Sequence, residues 1–220
     1  MKLKVPLIKQ PKNSVDCGIA GVAMLCKYYN IPKTFNALKK EIETDKIGTY
    51  APQLGTYLIK QGLDVEIVTL HPKLFTLLDS KLSQKEIITR LETSHNSTTS
   101  NQDKKVITHF KEFMNSGGKI KIKIPDIIDI KNEIHKKRPV GALMTTNFIN
   151  NVPIFNFHFN IITGYDTKHI YVNDPLPNKC GGRKKYTLQQ FYYGLYASAY
   201  GDIDNASLLI VKKIRIKKYD

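Results

Sequence analysis

Tryptophan is absent from this 220-residue chain, and cysteine occurs only three times, as Cys17, Cys26 and Cys180. A small, odd cysteine count excludes a disulfide framework, and no pair has the spacing of zinc ligands. A reducing, cytoplasmic setting is therefore the expectation. No stretch approaches the roughly 18 apolar residues of a membrane helix. The N-terminal MKLKVPLIKQ is broken by Pro6 and Lys9, and it lacks the apolar core and cleavage site of a signal peptide. Export by a route that needs no such signal stays open. There is no internal repeat.

Acidic residues are also scarce, 19 against 34 lysines and arginines, which gives a formal net charge of +15. Such an excess fits an anionic partner. It also fits the coding bias of an AT-rich genome, because Lys, Ile and Asn are abundant together and the lysines are scattered. The second reading is preferred. The densest basic run, Lys212, Lys213, Arg215, Lys217 and Lys218, alternates with Val211, Ile214 and Ile216 and reads as the solvent face of a closing strand.

What is present is enough apolar residue, 41% of the chain, for one substantial core. Apolar residues at three-to-four spacing predict a helix from Cys17 to about Tyr29, with Asp16 placed to cap it. Further helices are expected over 35–42, 54–61, 74–78, 86–91, 106–114, 126–136 and 186–193. Strands are expected over 5–8, 65–69, 119–124, 140–144, 157–165, 170–173 and 208–216. The polar stretch 94–105, with no apolar period, reads as a mobile loop. The reading is an α+β fold in a single domain, 1–220, with a mainly helical lobe to about residue 137 and a mainly β lobe after it.

Four residues carry the expected chemistry. A cysteine at a helix start gains from the partial positive charge there, which favours the nucleophilic thiolate; Cys17 is so placed, whereas Cys26 lies mid-helix on the apolar stripe. His158 lies in an aromatic-flanked strand, with Phe157 and Phe159 on the opposite face. Asp174 ends the next strand, where a hairpin can return it to His158. His169, at the hairpin tip, is the rival histidine; Asn173 and Asp166 are the rivals to Asp174. Gln10, upstream of Cys17, carries an amide that could donate to an oxyanion together with the Cys17 N–H. Each residue alone has an ordinary structural reading, and the order in which they occur is what raises the prospect of catalysis.

That order resembles the papain-like cysteine peptidases, and within them the family that removes double-glycine leader peptides from bacteriocins, with its stand-alone relatives. The first motif reads Gln10 … Asp16-Cys17-Gly18-Ile19-Ala20-Gly21-Val22-Ala23-Met24. The second reads His158-Phe159-Asn160-Ile161-Ile162-Thr163-Gly164 … Asn173-Asp174-Pro175. The resemblance covers roughly residues 3–30 and 138–212. It implies a papain-like fold, Cys17 as nucleophile, His158 as base, Asp174 as orienter and Gln10 as oxyanion donor. It also implies a peptide or protein substrate and no cofactor or metal. No fused transporter is seen, so cleavage coupled to export is not implied. The same triad could serve an acyltransferase, transglutaminase or deamidase. A non-catalytic basic module binding a polyanion is the reading from another class; nucleic acid is not expected, since the basic residues do not interleave with aromatics. Oligomeric state is not legible.

Overall fold

The computed structural model describes residues 1–214. A seven-stranded sheet runs through it, built from β1 (Leu63–Thr69), β2 (Lys119–Ile122), β3 (Val140–Met144), β4 (His158–Tyr165), β5 (His169–Asp174), β6 (Gly182–Thr187) and β7 (Leu208–Ile214). Their spatial order is β2-β1-β7-β3-β4-β5-β6. Only β1 and β2 pair in parallel; every other neighbouring pair is antiparallel. Strands from before and after residue 137 therefore share one sheet.

Alternation along each strand splits the apolar side chains between two faces. Leu63, Val65, Ile67, Leu143, Phe159, Ile161, Leu209 and Val211 join the core on one face. Helices α1 (Cys17–Tyr28), α2 (Phe35–Glu41), α3 (Ala51–Lys60), α4 (Gln84–Ser97) and α5 (Asn101–Asn115) cover that face. Val68, Val140, Ala142, Met144, Ile162, Leu208 and Ile210 face the other way, against α6 (Ile127–His135) and α7 (Leu188–Ala197). This is the α+β architecture that the sequence suggests. Among the described residues no helix is long and apolar enough to cross a membrane.

Several elements differ from expectation, each for a physical reason. Residues 5–8 form no strand, because Pro6 has no N–H to give a ladder; instead the Val5 and Pro6 carbonyls accept from Asn173 Nδ2 at 3.2 and 3.3 Å, and only Lys2 bridges to Gly164. The polar stretch 94–105 is not a loop. It holds the end of α4 and the start of α5, and Ser100 caps α5 by accepting from the Asp103 N–H. Residues 74–78 are a turn leading into a short 3-10 helix, Leu77–Lys81. The segment 186–193 is divided: β6 takes Tyr186 and Thr187, and Thr187 then caps α7. The closing strand β7 lies between β1 and β3, and Lys212, expected on a solvent face, pairs with Glu66 at 2.7 Å; Arg215, Ile216, Lys217 and Lys218 lie outside the described residues.

The contact that matters most for the site joins α1 to β4. Gly21 on α1 and Gly141 on β3 both lie against the ring of Phe159, and a Cβ on either would overlap that ring. Gly21→Val forces branched carbon into this contact. It is expected to cost about 1–3 kcal/mol as overpacking, read as a lower urea midpoint with an unchanged slope.

Candidate active site

Cys17 is the first residue of α1, where the helix's leading N–H groups have no intrahelical partner. Asp16 holds the cap position, but its carboxylate does not cap: it takes Lys39 Nζ at 2.6 Å instead. Cys17 remains partly exposed as a residue, while its sulfur is desolvated. Burial pushes the thiol up to about 11; the N–H groups of Phe159, Gly18 and Cys17 itself oppose the rise, and the charge of Asp174 adds to it. The depressed pKa expected from the helix start is thus overturned, because desolvation outweighs the helix terminus. Cys26 is buried mid-helix, and burial raises it to about 11 as well.

His158 opens β4 and is buried. Its Nε2 lies 2.8 Å from Thr146 Oγ1, and that hydroxyl donates to Asp174 Oδ2 at 3.0 Å. The direct His158 Nε2 to Asp174 Oδ2 separation is 3.5 Å, so Thr146 bridges the pair. A hydroxyl has one proton to give. Since Thr146 gives it to Asp174, Oγ1 can only accept from His158, and Nε2 carries the ring proton. Nδ1 is then the lone-pair nitrogen, and it is buried without a hydrogen-bond partner. Asp174 is fully buried, and its Oδ1 accepts from the Leu176 N–H at 2.9 Å.

Thr146 was not legible as a site residue, because it lies in a segment after β3 that carries no motif. Asn156 fixes that segment: its Oδ1 accepts from Thr145 Oγ1 at 3.1 Å and from the Asn147 N–H at 3.0 Å. One side chain just before β4 thereby holds the bridging hydroxyl beside the histidine that opens β4.

Cys17 and His158 line one small cavity of about 20 Å³, together with Thr49, Leu143, Asp204 and Asn205. The structure therefore brings Cys17, His158 and Asp174 to one place. Asn173 turns the other way, to the Val5 and Pro6 carbonyls, and His169 pairs with Asp166 at 3.0 Å at the hairpin tip. Gln10 is buried beside the end of β5, its N–H donating to the Pro175 carbonyl at 2.9 Å. Its amide nitrogen donates to the Ser14 carbonyl at 2.5 Å, leaving the second amide proton uncommitted.

A cysteine leading a central helix, set against a histidine on the sheet that the helix packs on, defines the papain-like cysteine peptidase fold. Solved structures share it at low identity. The double glycine motif protease from an AMS/PCAT transporter, solved in complex with the leader peptide, is 17% identical over 96% of this chain and 93% of that one, with a TM-score of 0.50. A C39-like peptidase from Bacillus anthracis is 14% identical over 98% and 100%, with a TM-score of 0.51. The peptidase domain of Streptococcus ComA, a bi-functional ABC transporter involved in a quorum sensing pathway, is 14% identical over 94% and 98%, with a TM-score of 0.50. None of the curated proteins matches the sequence significantly. The chain belongs to the Peptidase_C39 like family, whose model matches residues 2–202.

Asp204 gives the cavity wall its own pH dependence. Its Oδ2 accepts from the Ala51 N–H at the start of α3, at 2.6 Å. Burial pushes the carboxyl from an ordinary 3.8 up to about 7. Between those values the folded protein holds a proton that the unfolded chain has released, so stability falls as pH rises through the window and levels off above it. Asp204→Asn keeps an acceptor for Ala51 and removes this slope. Its melting temperature should gain on that of the wild type between about pH 4 and about pH 7, with a constant difference beyond.

Proposed function

We propose that this chain is a cysteine peptidase that hydrolyses peptide bonds through a thioester, with Cys17 as nucleophile, His158 as base and Asp174 as orienter acting through Thr146. The observation that carries the reading is the unpartnered His158 Nδ1 in the cavity that Cys17 also lines. Nδ1 takes the thiol proton as the sulfur attacks the substrate carbonyl. Protonation of the ring supplies the positive charge that a desolvated thiolate otherwise lacks. The N–H groups of Phe159, Gly18 and Cys17 already face the sulfur. The leading N–H groups of α1, with the free amide proton of Gln10, are the donors for the oxyanion. The imidazolium then protonates the leaving amine, and water, deprotonated by the same nitrogen, opens the thioester to a carboxylate and the free thiol.

The narrowness of the site supports a substrate with small residues at the cleaved bond: the cavity that Cys17 and His158 line is only about 20 Å³, and a structural relative is a double glycine motif protease. A peptide-library digest tests the reading: cleavage after glycine or a comparably small residue is expected from the native protein and none from Cys17→Ala. Equal digestion by both, or by neither, sinks it.

The hydroxyl bridge gives a second test. Thr146→Val leaves the volume but removes the acceptor for His158 Nε2. It is expected to lower kcat by about 10²-fold or more, with KM little changed, as loss of tautomer control does; Thr146→Ser restores most of the rate. A Thr146→Val enzyme of full kcat would remove Thr146 from the mechanism.

A further inference from the structure

Buried polar side-chain atoms are normally hydrogen-bonded, and each exception calls for a reason. Among the described residues nine carry such an atom, and three of the nine line the Cys17 cavity. Thr49 Oγ1, both amide atoms of Asn205 and His158 Nδ1 are all buried without a partner, and all three residues line that cavity. His158 Nδ1 has its role in the proposed chemistry, which leaves Thr49 and Asn205 unexplained. Asn205 is only 1% exposed, so water does not solvate its amide freely.

The close packing around both residues shows how they are held. Thr49 Oγ1 lies so near the Cα of Gly18, the residue after the nucleophile, that a Cβ there would collide with it. A Cβ on Gly201 would collide with Asn205 Nδ2, and the Asn205 N–H is tied to the Asp202 carbonyl at 3.0 Å. Two fixed polar groups, one hydroxyl and one carboxamide, thus line the cavity that Cys17 lines. A carboxamide offers one acceptor and a pair of donor protons in a plane. The complementary ligand is another amide, with its own N–H and C=O. A charged side chain does not match it, and neither does an apolar one.

We propose that Asn205, assisted by Thr49, is a substrate-binding clamp for the peptide main chain next to the bond that Cys17 attacks. This rests on the peptidase reading and deepens it. Main-chain recognition also fits a cavity as narrow as about 20 Å³. The clamp leaves its atoms unsatisfied until substrate arrives, so it costs stability in the free protein and returns it as affinity.

The test uses the full chain and a peptide that contains a glycine-glycine step. Turnover of that peptide by the native protein is measured first; its absence sinks the peptidase reading, and with it the clamp that rests on it. Binding is then measured by anisotropy in the Cys17→Ala background, with and without Asn205→Ala, and separately with the near-isosteric Thr49→Val. Asn205→Ala is expected to weaken binding by about tenfold or more, as loss of a buried hydrogen-bonding pair does, with no fall in melting temperature. A peptide carrying an ester in place of the amide N–H beside the scissile bond should lose affinity for the Asn205 protein and lose nothing further for Asn205→Ala. Turnover together with equal affinity in the Asn205→Ala and parent proteins overturns the clamp and leaves the peptidase reading standing. So does an ester penalty that persists in Asn205→Ala.

Discussion

The ring of Phe159, held between Gly21 of α1 and Gly141 of β3, is the contact on which the site depends. α1 carries Cys17 at its first position and β4 carries His158 at its first position. Their side chains share a cavity only if helix and strand approach closely at that end, and two glycines against one aromatic ring set the approach. The same residue acts a second time through its backbone, since the Phe159 N–H faces the Cys17 sulfur. Packing and electrostatics therefore meet in one residue. Moving the ring would shift the helix, the thiol's strongest opposing donor and the neighbouring histidine together. Interiors are close-packed and transmit such strain.

Burial acts on the three polar members of the site in different ways. It raises the Cys17 thiol, so helix placement by itself does not prepare a thiolate. It leaves His158 with one committed and one free nitrogen, because Thr146 can satisfy only Nε2. It shields Asp174 completely, so the hydroxyl bridge acts in a medium where hydrogen bonds are strong and unpaired groups are costly. The chain from Asp174 through Thr146 to Nε2 has one consistent direction of donation. That direction fixes the tautomer without a direct hydrogen bond between ring and carboxylate, which lie 3.5 Å apart.

The sequence made the placement of the candidate site residues legible and left most of what supports them hidden. Cys17 at a helix start, His158 opening a strand and Asp174 closing the next can be read from apolar periodicity and motif order. The α+β class can be read the same way. Thr146, Asn156, Thr49 and Asn205 could not be, because each owes its place to a tertiary contact rather than to a pattern along the chain. The stretch 94–105 misled because helix period depends on apolar residues, and here Ser100 capping and packing between α4 and α5 supply the order instead. β6 misled because an edge strand with one buried face can be rich in lysine and arginine; of its residues only Tyr186 is fully buried. The basic run at the end of β7 reads as a solvent face, yet β7 is a central strand, and Lys212 near its end reaches Glu66.

Unsatisfied polar groups are a poor bargain for a protein that only has to fold. Gln10 Oε1, Thr49 Oγ1, His158 Nδ1 and the Asn205 amide are all buried and unpartnered, and each would cost about 1–3 kcal/mol against a paired or apolar equivalent. Three of these four residues border a space of about 20 Å³ next to a cysteine. The fourth, Gln10, donates its backbone N–H to the carbonyl of Pro175, the residue after Asp174. Thr44, Thr69, His109, Asn147 and Asn160 also carry such atoms without lining this cavity, so burial alone does not mark the site. What sets the cavity apart is that three such groups meet there beside the one cysteine that is not fully buried, where a polar, narrow ligand would satisfy them. An extended glycine-rich main chain has that shape and carries the donors and acceptors that the cavity wall lacks.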